Sequence, residues 1–280
     1  INYLLGELDE KYLTTLRSYG GLQSYPSRAK DPDTGDYSTG SVGIGATAPI
    51  WGAMSRRSVD AAFGEAHDDA STATGFRGRQ YSLVGDAELD EGAVWEAVID
   101  PGIADLGEIV WIVDLNRQSL DRVVPNFAAR RLEKMFDAAG WQVVTVTFGR
   151  LLEDLFTRTG GDALRRRIVD MPNPEYQRLL RCTAEELRTR LPGSGDGAAA
   201  IAELIADVDD TVLTESIRNL GGHDLDALRA AFARIDDTRP TVIIAYTVKG
   251  FRLPTQGHPQ NHSSLLTVEE YTELAHTLGT

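Results

Sequence analysis

Hydrophobic positions along this 280-residue chain follow two periods, and their alternation outlines a strand–helix–strand protein. Short apolar runs bounded by polar or glycine-containing turns predict strands at Tyr81-Ser82-Leu83-Val84, Ile109 to Val113, Gln142 to Phe148 and Thr241 to Thr247. The last, through Val242, Ile243 and Ile244, reads as buried on both faces. Between the strands, apolar residues recur at helical spacing. Ala93, Val94, Ala97 and Val98 predict a short helix, Phe127 to Ala138 a longer one, and another begins near Ala46 after a glycine turn. Leu4, Leu5, Leu8, Tyr12, Leu13 and Leu16 predict an amphipathic helix over residues 2–18. Residues 26–40 and 66–79 predict loops, with His67 at the surface. From Phe148 to Asn219 an Arg- and Leu-rich stretch predicts a helical insertion, over about 150–218, with a flexible break at Pro192-Gly193-Ser194-Gly195-Asp196-Gly197. Leu265 to Leu278 predicts a terminal helix, with Thr267 and Glu270 at capping-box spacing and His276 on its surface. Strand alternating with helix predicts an α/β fold: a parallel sheet flanked by helices on both faces.

Two polar residues give this outline a chemistry. The run Gly85-Asp86-Ala87-Glu88-Leu89-Asp90-Glu91-Gly92 follows one predicted strand, and Asn116, thirty positions after Asp86, follows the next. A right-handed crossover between parallel strands needs roughly 30 residues. The spacing therefore places a carboxylate and a carboxamide at one sheet edge, where α/β folds collect ligands. Both are hard oxygen donors. Mg²⁺ takes few such protein ligands and keeps phosphate and water in its remaining positions. Gly85 permits a sharp turn at the strand end, and N–H groups at the next helix start suit phosphate oxygens. Singly, each residue reads as a helix cap or turn former. As a pair at crossover spacing, they point to a metal-held diphosphate.

Composition narrows the field. A formal charge of −14 argues against nonspecific nucleic-acid binding and describes a solubilising acidic surface. One cysteine, Cys182, excludes an internal disulfide framework; its context suits packing or a surface position, and the count fits a reducing cytoplasm. No apolar run approaches the ~20 residues of a bilayer span, and no signal peptide is visible, so no membrane partner is expected. The length suits one large α/β domain over residues 1–280, and the opening Ile1 suggests upstream residues. Arg165-Arg166-Arg167 reads as a solvated helix face before a docking patch for an acidic partner. In Gly257-His258-Pro259-Gln260-Asn261-His262 the histidines suit proton transfer and an ordinary polar loop equally. Gly221-Gly222-His223-Asp224 reads as a structural turn with Asp224 as a helix cap. Gly43-Ile44-Gly45 lacks the remaining glycine spacing of a nicotinamide-binding domain.

The Gly85–Gly92 run with Asn116 resembles the thiamine-diphosphate signature, Gly-Asp-Gly followed some thirty residues later by Asn. Further stretches resemble, in order, the decarboxylating component of homodimer-type pyruvate dehydrogenase and, more distantly, transketolase. They are Gly21-Leu22-Gln23-Ser24-Tyr25-Pro26, Ser41-Val42-Gly43-Ile44-Gly45, Phe136-Asp137-Ala138-Ala139-Gly140-Trp141, Asn219 to Asp224 and Ala245-Tyr246-Thr247-Val248-Lys249-Gly250. The long insertion favours the dehydrogenase component over transketolase. The resemblance implies the diphosphate-binding domain of the thiamine-diphosphate-binding fold. It implies Asp86 and Asn116 as Mg²⁺ side-chain ligands, with the Gln118 backbone carbonyl as a third. Gly85 and Ala87 would approach the diphosphate, and Gly40 and Val42 the aminopyrimidine and thiazolium. Glu91 matches an acidic residue near the dimer interface that serves a proton path. Lys249, His258 and His262 fall on or near a mobile active-site loop of about 251–264, and the resemblance favours His262 as functional. Two positions depart from the pattern: Ala87 replaces the third glycine, and Asp114 replaces an asparagine.

The same resemblance implies a partner. The family's activating glutamate belongs to a pyrimidine-binding domain that has no match here. The expectation is a split subunit in an α2β2 heterotetramer, transferring an activated two-carbon unit to a lipoyl or acyl-carrier arm. The source is pyruvate or, as in paired subunits of bacterial natural-product pathways, a ketose phosphate. A noncatalytic, cofactor-binding regulatory subunit is the alternative, favoured by Ala87.

Overall fold

Residues 2–32, 35–63, 78–119, 122–123 and 129–278 are described by the computed structural model. His67, most of the 66–79 loop, and Phe127 and Ala128 at the expected start of a helix lie outside the described residues. Among the described residues the strands are β1 (Gln80–Gly85), β2 (Ile109–Leu115), β3 (Gln118–Ser119), β4 (Arg122–Val123), β5 (Gln142–Val146) and β6 (Thr241–Tyr246). Four form a parallel sheet in the order β1-β2-β6-β5; β3 and β4 make a separate antiparallel ribbon. The burial of each strand follows its place in this order. Central β2 and β6 are buried almost throughout, as a strand covered on both faces requires, whereas edge strand β1 alternates buried Ser82 and Val84 with exposed Tyr81 and Leu83. Helices flank the sheet: α1 (Ile44–Phe63), α2 (Gly92–Val98), α3 (Ala129–Ala138), then an insertion of α4 (Arg150–Phe156), α5 (Gly161–Asp170), α6 (Asn173–Leu179), α7 (Ala184–Arg190), α8 (Ala198–Ala206) and α9 (Asp210–Arg218), followed by α10 (Leu225–Phe232) and α11 (Val268–Leu278).

Two compact units are distinguished. The first comprises Ile1–Val113, Lys134–Val143 and Ile235–Val242. Its core is aromatic: Trp111 lies 4.9 Å from Trp141 and 6.1 Å from Phe136 between ring centroids, and Trp95 lies 5.2 Å from Phe136. The tilted and edge-on geometries follow from the ring quadrupoles, and each pair adds about 0.5–1.5 kcal/mol beyond area burial. The polar end of Trp141 is satisfied by Nε1 donating to the Val98 carbonyl (3.1 Å). Arg57 of α1 grips the buried Glu108 carboxylate with two hydrogen bonds of 2.8 and 2.6 Å, fixing that helix to the start of β2.

The second unit comprises Asp114–Glu133, Val144–Arg234 and Ile243–Thr280. Its core is aliphatic and gathers Leu152, Leu164, Leu179, Leu187, Ile205 and Leu213 from the six insertion helices, with Cys182 buried among them. The expected break at 192–197 separates α7 from α8, and Gly193 and Gly197 take the positive φ there that other residues adopt only with strain. The Arg165–Arg167 run is neither a free patch nor simply solvated. Arg165 pairs with Glu153 and stacks over Phe148 and Phe156, while Arg167 pairs with Glu175. Asp224 caps α10 as expected, accepting from the N–H groups of Asp226 and Ala227 at 3.1 Å each. Burial alone would raise its carboxyl; the N–H groups of Arg150 and Ala227 and the Arg150 guanidinium hold it below the ordinary value. The Thr267–Glu270 capping box is formed in both directions, and His276 is exposed on α11.

The N-terminal expectation fails. Residues 2–18 are turns with a single 3₁₀ segment, Glu10–Tyr12. Leu4, Leu5 and Leu16 are 84%, 67% and 59% exposed, and of the apolar stripe only Leu8 is buried and Tyr12 half-buried, so most of it finds no packing among the described residues. A helix of this length is marginal without such packing, and Gly6 and Arg17, both at positive φ, leave the helical path.

Candidate functional site

In the first unit the glycine turn and the acidic turn are built onto each other. Gly43 has φ +76°, and a Cβ placed there would lie 2.4 Å from Val94 Cγ2 and 3.5 Å from Glu91 Cβ. Only a glycine permits both the left-handed backbone and this approach to the start of α2. Ser82 of β1 donates its hydroxyl to the Gly45 carbonyl at 2.5 Å, closing the turn from the strand side. Next to Gly43, Val42 holds φ +65° and is 55% exposed. A β-branched residue in that region is a strained exception, of the kind that marks functional sites. Gly40 begins the turn, with Ile44 Cδ1 3.3 Å from where its Cβ would be.

Asp86 is buried and opens a 3₁₀ turn, Asp86–Asp90, with the Glu88 carboxylate accepting the Gly85 N–H at 3.1 Å. The first N–H groups after β1 thus belong to this turn, and α2 starts only at Gly92, with half-buried Glu91 at its N-cap. Gly85 itself is extended (φ −71°, ψ 147°), so the chain does not need a glycine's freedom there. Ala87 is exposed and is not among the residues at positive φ, so replacing the family's glycine by alanine costs no backbone strain.

In the second unit, Asn116, Arg117 and Gln118 form a tight turn after β2. Asn116 Oδ1 accepts the Gln118 N–H at 3.0 Å, which uses one of its two lone pairs. Gln118 is buried, and its side chain donates to Gln177 Oε1 (3.2 Å), tying the turn to α6. Arg117, between them, has φ +63°. Asp114 accepts the Thr247 hydroxyl, so this departure from the pattern joins the end of β2 to the residue that follows β6.

The segment after β6 is held by residues from elsewhere in this unit. His223 Nε2 accepts the Val248 N–H at 2.7 Å, and its ring stacks on Phe251 with centroids 3.8 Å apart. Burial holds His223 below the ordinary histidine pKa, with Asp114 opposing and Arg252 reinforcing the shift. Asn261, buried between the two loop histidines, donates to the Lys249 carbonyl (2.6 Å) and accepts from Thr255 (2.7 Å). Lys249 Nζ then lies 3.0 Å from His262 Nδ1. His258 is not part of this pair; its Nδ1 accepts the Gln260 N–H (3.1 Å). Asn261 escaped sequence reasoning, although an amide between two histidines in a loop is a natural organiser.

Residues 3–157 match the family described as "Transketolase, thiamine diphosphate binding domain". The chain belongs to that family. Relatives of this thiamine diphosphate binding domain include the "Pyruvate dehydrogenase E1 component" of Haemophilus influenzae, 27% identical over 97% of this chain and 31% of that protein. The "Pyruvate dehydrogenase E1 component" proteins of Escherichia coli K12 and Mycobacterium tuberculosis are 27% and 28% identical, each over 92% of this chain and 28% and 27% of their own lengths. The chain thus spans under a third of these relatives. Among solved structures, the transketolases of Leishmania mexicana (TM-score 0.57, 19% identity, 97% of this chain and 29% of that one) and Campylobacter jejuni (0.54, 17%, 96% and 30%) share the fold. No helix among the described residues is long and apolar enough to cross a membrane.

Proposed function

We propose that this chain is the diphosphate- and metal-binding subunit of a thiamine-diphosphate-dependent enzyme that transfers an activated two-carbon unit. The observation supporting this is the clamped turn of the first unit, where Gly43 brings backbone against the acidic segment that carries a buried Asp86. The donor set suits the group. Asp86, Asn116 and the Gln118 carbonyl supply hard oxygens for Mg²⁺, and Gly85 and Ala87 approach the diphosphate. Gly40 and Val42 border the rings, and Glu91 belongs to the interface side. When bound, thiamine diphosphate supplies the carbanion chemistry. In this reading Lys249 takes part in holding the cofactor, and His262 and His258 on the loop beyond it move protons near neutral pH.

The activating glutamate comes from a second chain carrying the pyrimidine-binding domain, in an α2β2 cytoplasmic assembly, and the acceptor is a lipoyl or acyl-carrier arm. Descent from the dehydrogenase component favours pyruvate, and a ketose phosphate is the second reading. The unstrained Ala87 removes the feature that favoured a noncatalytic subunit. Titrating Mg²⁺ and thiamine diphosphate into the chain with its partner tests the assignment. Asp86→Ala should abolish cofactor binding, and unchanged affinity rejects it. Carbon dioxide release from pyruvate, against product from a ketose phosphate, decides the substrate.

A further inference from the structure

A second site lies wholly within the second unit. A cavity of about 300 Å³ opens at the carboxyl ends of β2, β5 and β6, bordered by Leu115, Phe148 and Tyr246. Crevices there are where α/β sheets bind ligands, and the volume is at the small end of the range for small-molecule pockets. Three arginines face it, Arg117, Arg130 and Arg165, against one carboxylate, Glu133. Arg165 is partly neutralised by Glu153, and Glu133 accepts the Thr145 hydroxyl at 2.8 Å. Arg117 is held in place by aromatic faces: its Cζ lies 4.5 Å from the Tyr176 ring centroid and 5.9 Å from that of Tyr246. Tyr176 is fixed in turn, fully buried and donating its hydroxyl to the Ile217 carbonyl at 2.5 Å. Ile168 and Met171 supply an apolar wall. Arg117 itself holds a left-handed backbone, φ +63°, a conformation that a non-glycine residue adopts only with strain.

We infer that this cavity binds a small organic carboxylate with an apolar body. The guanidinium groups take the carboxylate, for which Arg is geometrically suited, and the aliphatic and aromatic walls take the remainder. None of the cofactor-binding residues proposed above lines the cavity, and although Arg117 sits between Asn116 and Gln118, Arg130 lies outside that turn and separates this site from the metal assignment.

Benzoate and its neutral isostere benzamide are the probes, titrated into the full chain by calorimetry or ligand-observed NMR. Saturable benzoate binding is expected, with benzamide weaker by about tenfold or more. Arg117→Gln should weaken benzoate by about tenfold, and exposed Arg130→Gln, which removes no buried contact, should weaken it severalfold while leaving the circular dichroism spectrum unchanged. Arg28→Gln, in the other unit, should leave it unaltered, as should Asp86→Ala, even where that variant loses Mg²⁺. No saturation by about 10 mM, equal affinity for both probes, or full affinity in folded Arg130→Gln and Arg117→Gln would overturn the proposal.

Discussion

Gly43→Ala is the substitution that most directly tests how the glycine turn is built. Two costs add at this position. Placing an L-residue at φ +76° costs about 1–2 kcal/mol. The new Cβ would sit 2.4 Å from Val94 Cγ2, in a spot where Val94 is fully buried and cannot swing into solvent, and such overpacking costs about 1–3 kcal/mol. Alanine returns about 0.4–1 kcal/mol through the unfolded chain. The net expectation is a loss of about 1–5 kcal/mol. Urea unfolding read by tryptophan fluorescence measures it, since Trp95 and Trp111 belong to the same unit. Gly92→Ala is the control, because a Cβ there meets nothing within 4 Å and φ is not positive; it should give no loss, and a gain of about 0.4–1 kcal/mol. Val94→Ala in the Gly43→Ala background removes the clashing methyl, so the two changes should couple favourably by about 1 kcal/mol or more. A Gly43→Ala loss below about 0.5 kcal/mol, or strict additivity with Val94→Ala, would refute the contact as the reason for glycine.

Three further outcomes are expected. His223 is held unprotonated in the fold, with a pKa below its ordinary 6.5, so its contribution to stability is present above pH 6.5 and is lost as pH falls through the folded pKa. Protonation also puts a hydrogen on the nitrogen that accepts from Val248. Unfolding midpoints between pH 5 and 8 should therefore slope less in His223→Gln than in the parent chain, and identical slopes would count against the reading. Val42→Gly relieves about 1–2 kcal/mol of left-handed strain but adds about 0.5–1 kcal/mol of chain entropy, so the variant should be slightly more stable by urea unfolding while binding the cofactor less well. Asn261→Ala removes two hydrogen bonds from a buried amide and should cost about 1–3 kcal/mol. It should also speed hydrogen exchange from Lys249 to His262, and unchanged protection there would show that Asn261 does not organise the segment.

The parts of the fold that were legible in sequence share one property: their pattern reports burial that the surrounding chain supplies. Strands β2 and β6 read as unbroken apolar runs because both faces are covered, and the cap residues Asp224 and Thr267 act on N–H groups two or three residues away. Periodicity failed at residues 2–18 because it states which face could be buried, not whether anything meets it. At the candidate site the residue types were readable from spacing, but their local partners were not. That Asp114 takes the Thr247 hydroxyl and that Gln118 is anchored to Gln177 through its side chain depend on contacts with residues after β6 or in the insertion. Those lie 59 or more positions away for Gln118 and Asp114, beyond any local pattern.

The placement of one thiol and four indoles gives the chain a pair of built-in reporters. Trp51, Trp95, Trp111 and Trp141 all fall in the first unit, while Cys182 is shut inside the insertion of the second, where burial raises its pKa and slows alkylation. Fluorescence and thiol labelling under the same denaturant therefore follow different halves of the chain without any engineered dye. Coincident curves would mean that both halves melt as one cooperative body; separated curves would give each its own opening free energy.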